Sequence, residues 1–177
     1  MAQCLSLGCI ALSPLNAALG FFPAGGVMKN LYVFPTIETH SNKLEEAYEV
    51  AEDFSAEFQG KEIWVPKFFQ YDGASIPSAA YHIVGTPFNP RFMKAAVVHD
   101  WLYHTHELNR GQADKLFYKM LRDAGVNKVT AILMREAVEN FGGWYWDNDD
   151  DDIEYKNYLI EKIAHDNRDP KKYGLEA

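Results

Sequence analysis

Apolar positions in the first third of the chain fall in short β-branched and aromatic runs, and from residue 92 onward they recur every three to four residues. The pattern predicts strands giving way to helices. Leu31 to Pro35 reads as a strand, 45 to 54 as a strand of mixed period, and Lys61 to Pro66 as a strand that Phe68-Phe69 extends after a kink. Phe92 to Tyr103 contains no proline or glycine and reads as a helix. A second helix runs from Arg110 to Ala124, with Asn109 as its N-cap, Gly125 as its stop, and an apolar arc of Ala113, Phe117, Met120, Leu121 and Ala124. A third spans 127 to 141, with Val129, Ile132, Leu133, Ala137 and Phe141 as its packing side and Gly142-Gly143 as its end. Ile153 to Ala164 predicts one more helix, and the last dozen residues read as a tail. The fold class is α+β: a small N-terminal antiparallel sheet followed by a core of about three helices.

Polar residues that interrupt these apolar faces need partners. At ~100° per residue, Phe92, Ala96, His99, Asp100 and Tyr103 share one side of the 92 to 103 helix. Asp114 lies at the edge of the next helix's apolar arc, where a carboxylate is costly unless paired. Its partner is either His99 across the helix pair or Arg110 four residues earlier. Asp72-Gly73, in Tyr71-Asp-Gly-Ala-Ser-Ile-Pro77, has turn chemistry and reads as a plain turn or as a loop whose oxygens point to a common centre. Trp64, Phe68 and Phe69 read as core, and His104 and His106 as solvated.

Composition narrows the function classes. With 177 residues, 47% of them hydrophobic, the chain has room for one domain with a core. A net charge of -8 argues against nucleic acid, whose phosphates require clustered lysine and arginine. Cys4 and Cys9 are both near the N-terminus, so no disulfide framework staples the body of the fold. The apolar stretch from Cys4 to Phe22 lacks a positive n-region, is broken by Pro14, and offers only Leu-Gly-Cys at Cys9 as a lipoprotein-like site, so it makes no convincing signal peptide. We read 1-27 as an extension before Met28, 28-146 as one α+β domain, and 147-177 as an acidic loop followed by a helix and tail. Asp147-Asn-Asp-Asp-Asp-Asp152 lacks the glycine and terminal glutamate of an EF-hand and reads as a solvated loop.

Two carboxylates, Asp72 and Asp100, with a loop carbonyl and water, suit a hard cation such as calcium. His99, bonded through one ring nitrogen to Asp114, is then free to take a proton from water through the other. Alternatively His99 itself ligates a transition metal in a different hydrolase, such as one acting on cell wall.

The motif His99-Asp-Trp-Leu-Tyr103 resembles the signature of the small bacterial and fungal secreted phospholipases A2. The likeness continues in Tyr71-Asp-Gly-Ala-Ser-Ile-Pro77, Pro87-Phe88, Arg110-Gly-Gln-Ala-Asp-Lys-Leu-Phe117 and Ala137-Val-Glu-Asn-Phe-Gly142, covering 68 to 142. It implies His99 as general base, Asp114 as its orienting partner, Tyr103 bracing Asp114, and Asp72, Asp100 and the Gly73 carbonyl as calcium ligands, with phospholipid as substrate. That family's disulfide cysteines fall at Ala74 and Ala96 here, so the loop lacks its covalent clamp. A second likeness, carried by Val65-Pro-x-x-Phe-x-x-Asp-Gly-Ala-Ser-Ile-Pro77 and Ala95-Ala-Val-Val-His-Asp-Trp-Leu-Tyr103, is to a domain-of-unknown-function family common in phage and prophage genomes. It implies a product of the host cytoplasm or the assembled virion. The reading is therefore a calcium-dependent ester hydrolase, or alternatively a virion or tail structural protein with the same fold, no turnover, and other virion proteins as partners.

Overall fold

A computed structural model of the chain describes residues 31–36, 47–71, 90–147 and 153–175. Its early part is two small antiparallel sheets. Strands β1 (Val33–Thr36), β2 (Ala47–Val50) and β5 (Gln70–Tyr71) form one in the order β1-β2-β5, and β3 (Phe54–Phe58) and β4 (Lys61–Val65) form the other. The expected strand at 45 to 54 is thus β2 over Ala47–Val50, and β3 begins only at its last residue, Phe54. Residues after Pro66 do not extend β4, because the backbone turns at Phe68, whose φ is 80, and β5 pairs with β2 in the other sheet. The β3–β4 hairpin closes through Gln59 and Gly60, with φ of 54 and 81, the left-handed pair that a two-residue hairpin turn demands.

Five helices follow among the described residues: α1 (Pro90–Thr105), α2 (Arg110–Asp123), α3 (Lys128–Phe141), the short α4 (Gly143–Asp147) and α5 (Ile153–His165). Pro90 occupies the first helical position of α1, where its missing N–H costs nothing. This helix is buried on nearly every side: Val97, Val98, Trp101 and Leu102 are shielded from solvent together with His99, Tyr103 and His104. It lies between the strands and α2, and α3 packs on the far side of α2. Trp101 meets Phe69, the residue before β5, edge-on at 4.9 Å, and His104 sits between these rings and Tyr155. His104 is therefore core, not a solvated residue; an aromatic cage under the sheet holds it.

The start of α2 is secured by a capping box, in which the Asn109 side chain accepts from Gln112 N and Gln112 returns the bond to Asn109 N. Asn127 caps α3 in the same position. The buried face of α3 is Thr130, Ala131 and Met134, not the expected one: Val129 and Phe141 are each 68% exposed and Leu133 38%.

Residues 166–175 do not form a free tail. A 3-10 turn at Pro170–Tyr173 buries Tyr173, and Leu175 follows it into the core. Asp53, between the two sheets, accepts from Lys67 N at 2.8 Å and also binds Arg168 and the Tyr173 hydroxyl. Helix α5 reaches back too, its Tyr155 hydroxyl accepting from Gln70 N at 2.6 Å.

Candidate functional site

Helices α1 and α2 pack with His99, Tyr103 and Asp114 turned toward each other. His99 Nε2 lies 2.9 Å from Asp114 Oδ1, and the Tyr103 hydroxyl donates to the same oxygen at 2.9 Å. A carboxylate only accepts, so in the neutral ring the contact places the proton on Nε2 and leaves the lone pair on Nδ1. Asp114 is 2% exposed and His99 6%, so this is no solvated pair with Arg110; the carboxylate is satisfied inside the core. The Tyr103 ring lies tilted against the imidazole at a centroid distance of 4.2 Å, and Phe117 of α2 does so at 4.9 Å. The spacing from 99 to 103 puts imidazole and phenol one turn apart on one face.

Asp100 follows His99 but turns to the open side. Its Oδ1 stands 3.7 Å from His99 Nδ1, longer than a hydrogen bond, and its side chain is 25% exposed. Burial pushes its carboxyl above the ordinary range, and His99 only partly offsets that. Burial of His99 works against its protonation, but the carboxylates of Asp100 and Asp114 outweigh this and hold the ring above its ordinary 6.5. Tyr71, the residue preceding Asp72, is buried and close enough to Asp100 for the carboxylate to raise its phenol further. Its hydroxyl rests on Met93 Sδ at 3.7 Å.

The expected metal ligands divide accordingly. Asp72 and Gly73 lie outside the described residues. Asp100 fits a hard cation: an oxygen donor, part-exposed, with negative charge that the protein only partly compensates. Among the described residues no three His, Cys, Asp or Glu side chains gather into a group that could hold a metal ion.

Two features of this site escaped the sequence reading. One is Arg110, whose guanidinium donates to the Glu139 carbonyl. The other is the space at Gly142: a Cβ there would stand 2.7 Å from the Tyr103 hydroxyl. Gly142 has φ of -71, open to any residue, so the glycine serves close approach and not an unusual backbone. The available signal was a cation in the first turn of a helix, where the dipole disfavours it.

An α+β chain with a buried His-Asp-Tyr cluster between its first two described long helices is the class that fold and site define. It belongs to the family described as Protein of unknown function (DUF1353), whose model matches residues 48–138, from β2 into α3 and including His99, Asp100, Tyr103 and Asp114. Two Sinorhizobium fredii proteins are similar to it. Uncharacterized protein y4jT is 34% identical over 96 residues, 54% of this chain, and uncharacterized protein y4iH is 37% identical over 71 residues, 40% of this chain. The chain spans only 29% and 30% of those proteins' own lengths. No solved structure matches it. Among the described residues, no helix is long and apolar enough to cross a membrane.

Proposed function

We propose that the chain is a calcium-dependent carboxylic ester hydrolase of phospholipase A2 type, phage-associated, in which His99 activates water. The observation that carries the reading is the buried contact of His99 Nε2 with Asp114 Oδ1, which leaves Nδ1 on the side of the partly open Asp100. Asp114 holds the ring in one tautomer and orientation, and Tyr103, bonded to the same oxygen, fixes the carboxylate. Nδ1 takes a proton as the water oxygen bonds to the ester carbonyl carbon; the imidazolium formed faces Asp114 and Asp100, and its proton then passes to the departing alkoxide. Calcium, when bound by Asp100 together with Asp72 and the Gly73 carbonyl, supplies Lewis-acid polarisation of the ester. The resemblance noted in the sequence supplies phospholipid as the substrate class and the host cytoplasm or virion as the setting.

The test is fatty-acid release from phosphatidylcholine vesicles, with calcium and then with EDTA. Release with calcium, abolished by EDTA and reduced at least tenfold by Asp100→Asn, is the expected result. No release under any condition, with no calcium effect on the melting temperature, would point instead to a virion component without turnover.

A further inference from the structure

We propose that Gly142 and Trp146 are positioning residues for the His99–Asp114 pair, acting through Tyr103: the corner between α3 and α4 seats the phenol so that its hydroxyl meets Asp114. The inference rests on reading that pair as the working centre.

Tyr103 needs a seat because its hydroxyl shares one oxygen, Asp114 Oδ1, with His99 Nε2, each at 2.9 Å. A small turn about the Cα–Cβ bond carries a phenol tip through a long arc, so this bond depends on what walls the ring. The imidazole of His99, on α1 itself, is one wall, tilted against it at 4.2 Å. Gly142 is the floor. A Cβ there would stand 2.7 Å from the Tyr103 hydroxyl and 3.1 Å from Cε1, so only bare backbone lets the tip of the phenol enter. Trp146 is the outer wall, its ring at 86° to that of Tyr103 with centroids 5.0 Å apart. Its backbone N–H bonds to the Gly142 carbonyl at 3.0 Å, so floor and wall belong to one turn. The indole has a second contact in the exposed His106, stacked on it at 3.9 Å and 12°. His106 follows the last residue of α1 with φ of 55, a left-handed position where glycine is the usual residue. A histidine there costs backbone energy that a glycine would not, and the flat stack on Trp146 is what its side chain gains. Helix α1 thus holds Trp146 at two points, Tyr103 and His106.

The test reads the His99 hydrogen bond in metal-free protein with EDTA, so it is independent of turnover. His99 Nε2–H against a buried carboxylate gives a downfield proton resonance, assigned by its loss in His99→Gln. Tyr103→Phe, which removes the hydroxyl and keeps the ring, sets the direction in which that resonance moves. Gly142→Ala and Trp146→Ala should each move it the same way by a substantial part of that shift, and Trp146→Phe, which keeps a flat ring in the wall, should restore most of the wild-type position. In a Tyr103→Phe background Gly142→Ala should add much less than it does alone. That comparison separates loss of the hydroxyl's seat from crowding of the Val138 carbonyl, which a Cβ on Gly142 would meet at 2.5 Å in either background. Trp146→Ala, at a half-buried position, keeps the test open if Gly142→Ala does not fold. An unmoved resonance in Tyr103→Phe or in folded Trp146→Ala, or a Gly142→Ala shift as large without the Tyr103 hydroxyl as with it, would overturn the proposal. If wild type also hydrolyses ester, Trp146→Ala should lower kcat about tenfold with KM unchanged, and Trp146→Phe should restore it. Absence of hydrolysis in wild type would remove the proposed activity and leave the resonance result standing.

Discussion

Tyr103 shows how one hydroxyl can decide the state of a buried site. Its bond to Asp114 Oδ1 is made in the core, and a buried hydrogen bond to a carboxylate is worth roughly 1.5–3 kcal/mol. Tyr103→Phe keeps the ring packing against His99 and Trp146 but leaves Asp114 one donor short. Denaturant unfolding should show a loss of about 2 kcal/mol with an unchanged slope; a loss under about 0.5 kcal/mol would mean that water replaces the hydroxyl. The meeting of Asp114 with His99 was legible in the sequence, because a carboxylate on the margin of an apolar arc needs a partner and the neighbouring helix offers one at matching spacing. Arg110 was not legible in the same way. Its sequence neighbour at four residues is Asp114, but its guanidinium donates to the Glu139 carbonyl, 29 positions along, which only the packing of α3 brings within reach.

At the scale of elements, start and stop signals located the helices well. Asn109 caps α2 as its sequence position predicts, and Asn127, read as the first residue of the third helix, is its cap, since an asparagine oxygen facing free N–H groups is a local interaction. Which side of α3 packs is a tertiary matter. The helix carries apolar residues on two sides, and α2 takes the one built of Thr130, Ala131 and Met134, whose two small residues permit close approach. Val129, Leu133 and Phe141, with the larger hydrophobic surface, remain exposed. Met134→Ala should therefore cost about 2–5 kcal/mol in urea unfolding, and Leu133→Ala under about 1 kcal/mol. The reverse ranking would put the other face inside. The strands were legible as apolar runs, but their pairing was not: β5 joins β2 because the chain reverses at Phe68, a residue with no local reason to take positive φ.

Across the whole molecule, the C-terminal residues close the fold from the far end of the chain. Asp53 binds Lys67 N, Tyr173 and Arg168, and these contacts outweigh the opposing effect of burial to hold its carboxyl below the ordinary 3.8. A depressed folded value contributes stability that is present above 3.8 and lost as pH falls through the folded value. The stability difference between wild type and Asp53→Asn should thus be full at neutral pH and shrink on acidification below about pH 4; a difference independent of pH would show that the charge of Asp53 is not what secures the C-terminus. Nothing local in the sequence announces this closure, because residues 53 and 168 share no periodicity and lie 115 positions apart. The family's match, over residues 48–138, includes both His99 and Asp114. The most direct measurement is the initial rate of fatty-acid release from phosphatidylcholine vesicles in calcium, wild type against folded His99→Ala. A general base contributes about a hundredfold or more, so the variant's rate should fall by at least that factor. Equal rates for the two proteins would contradict the account.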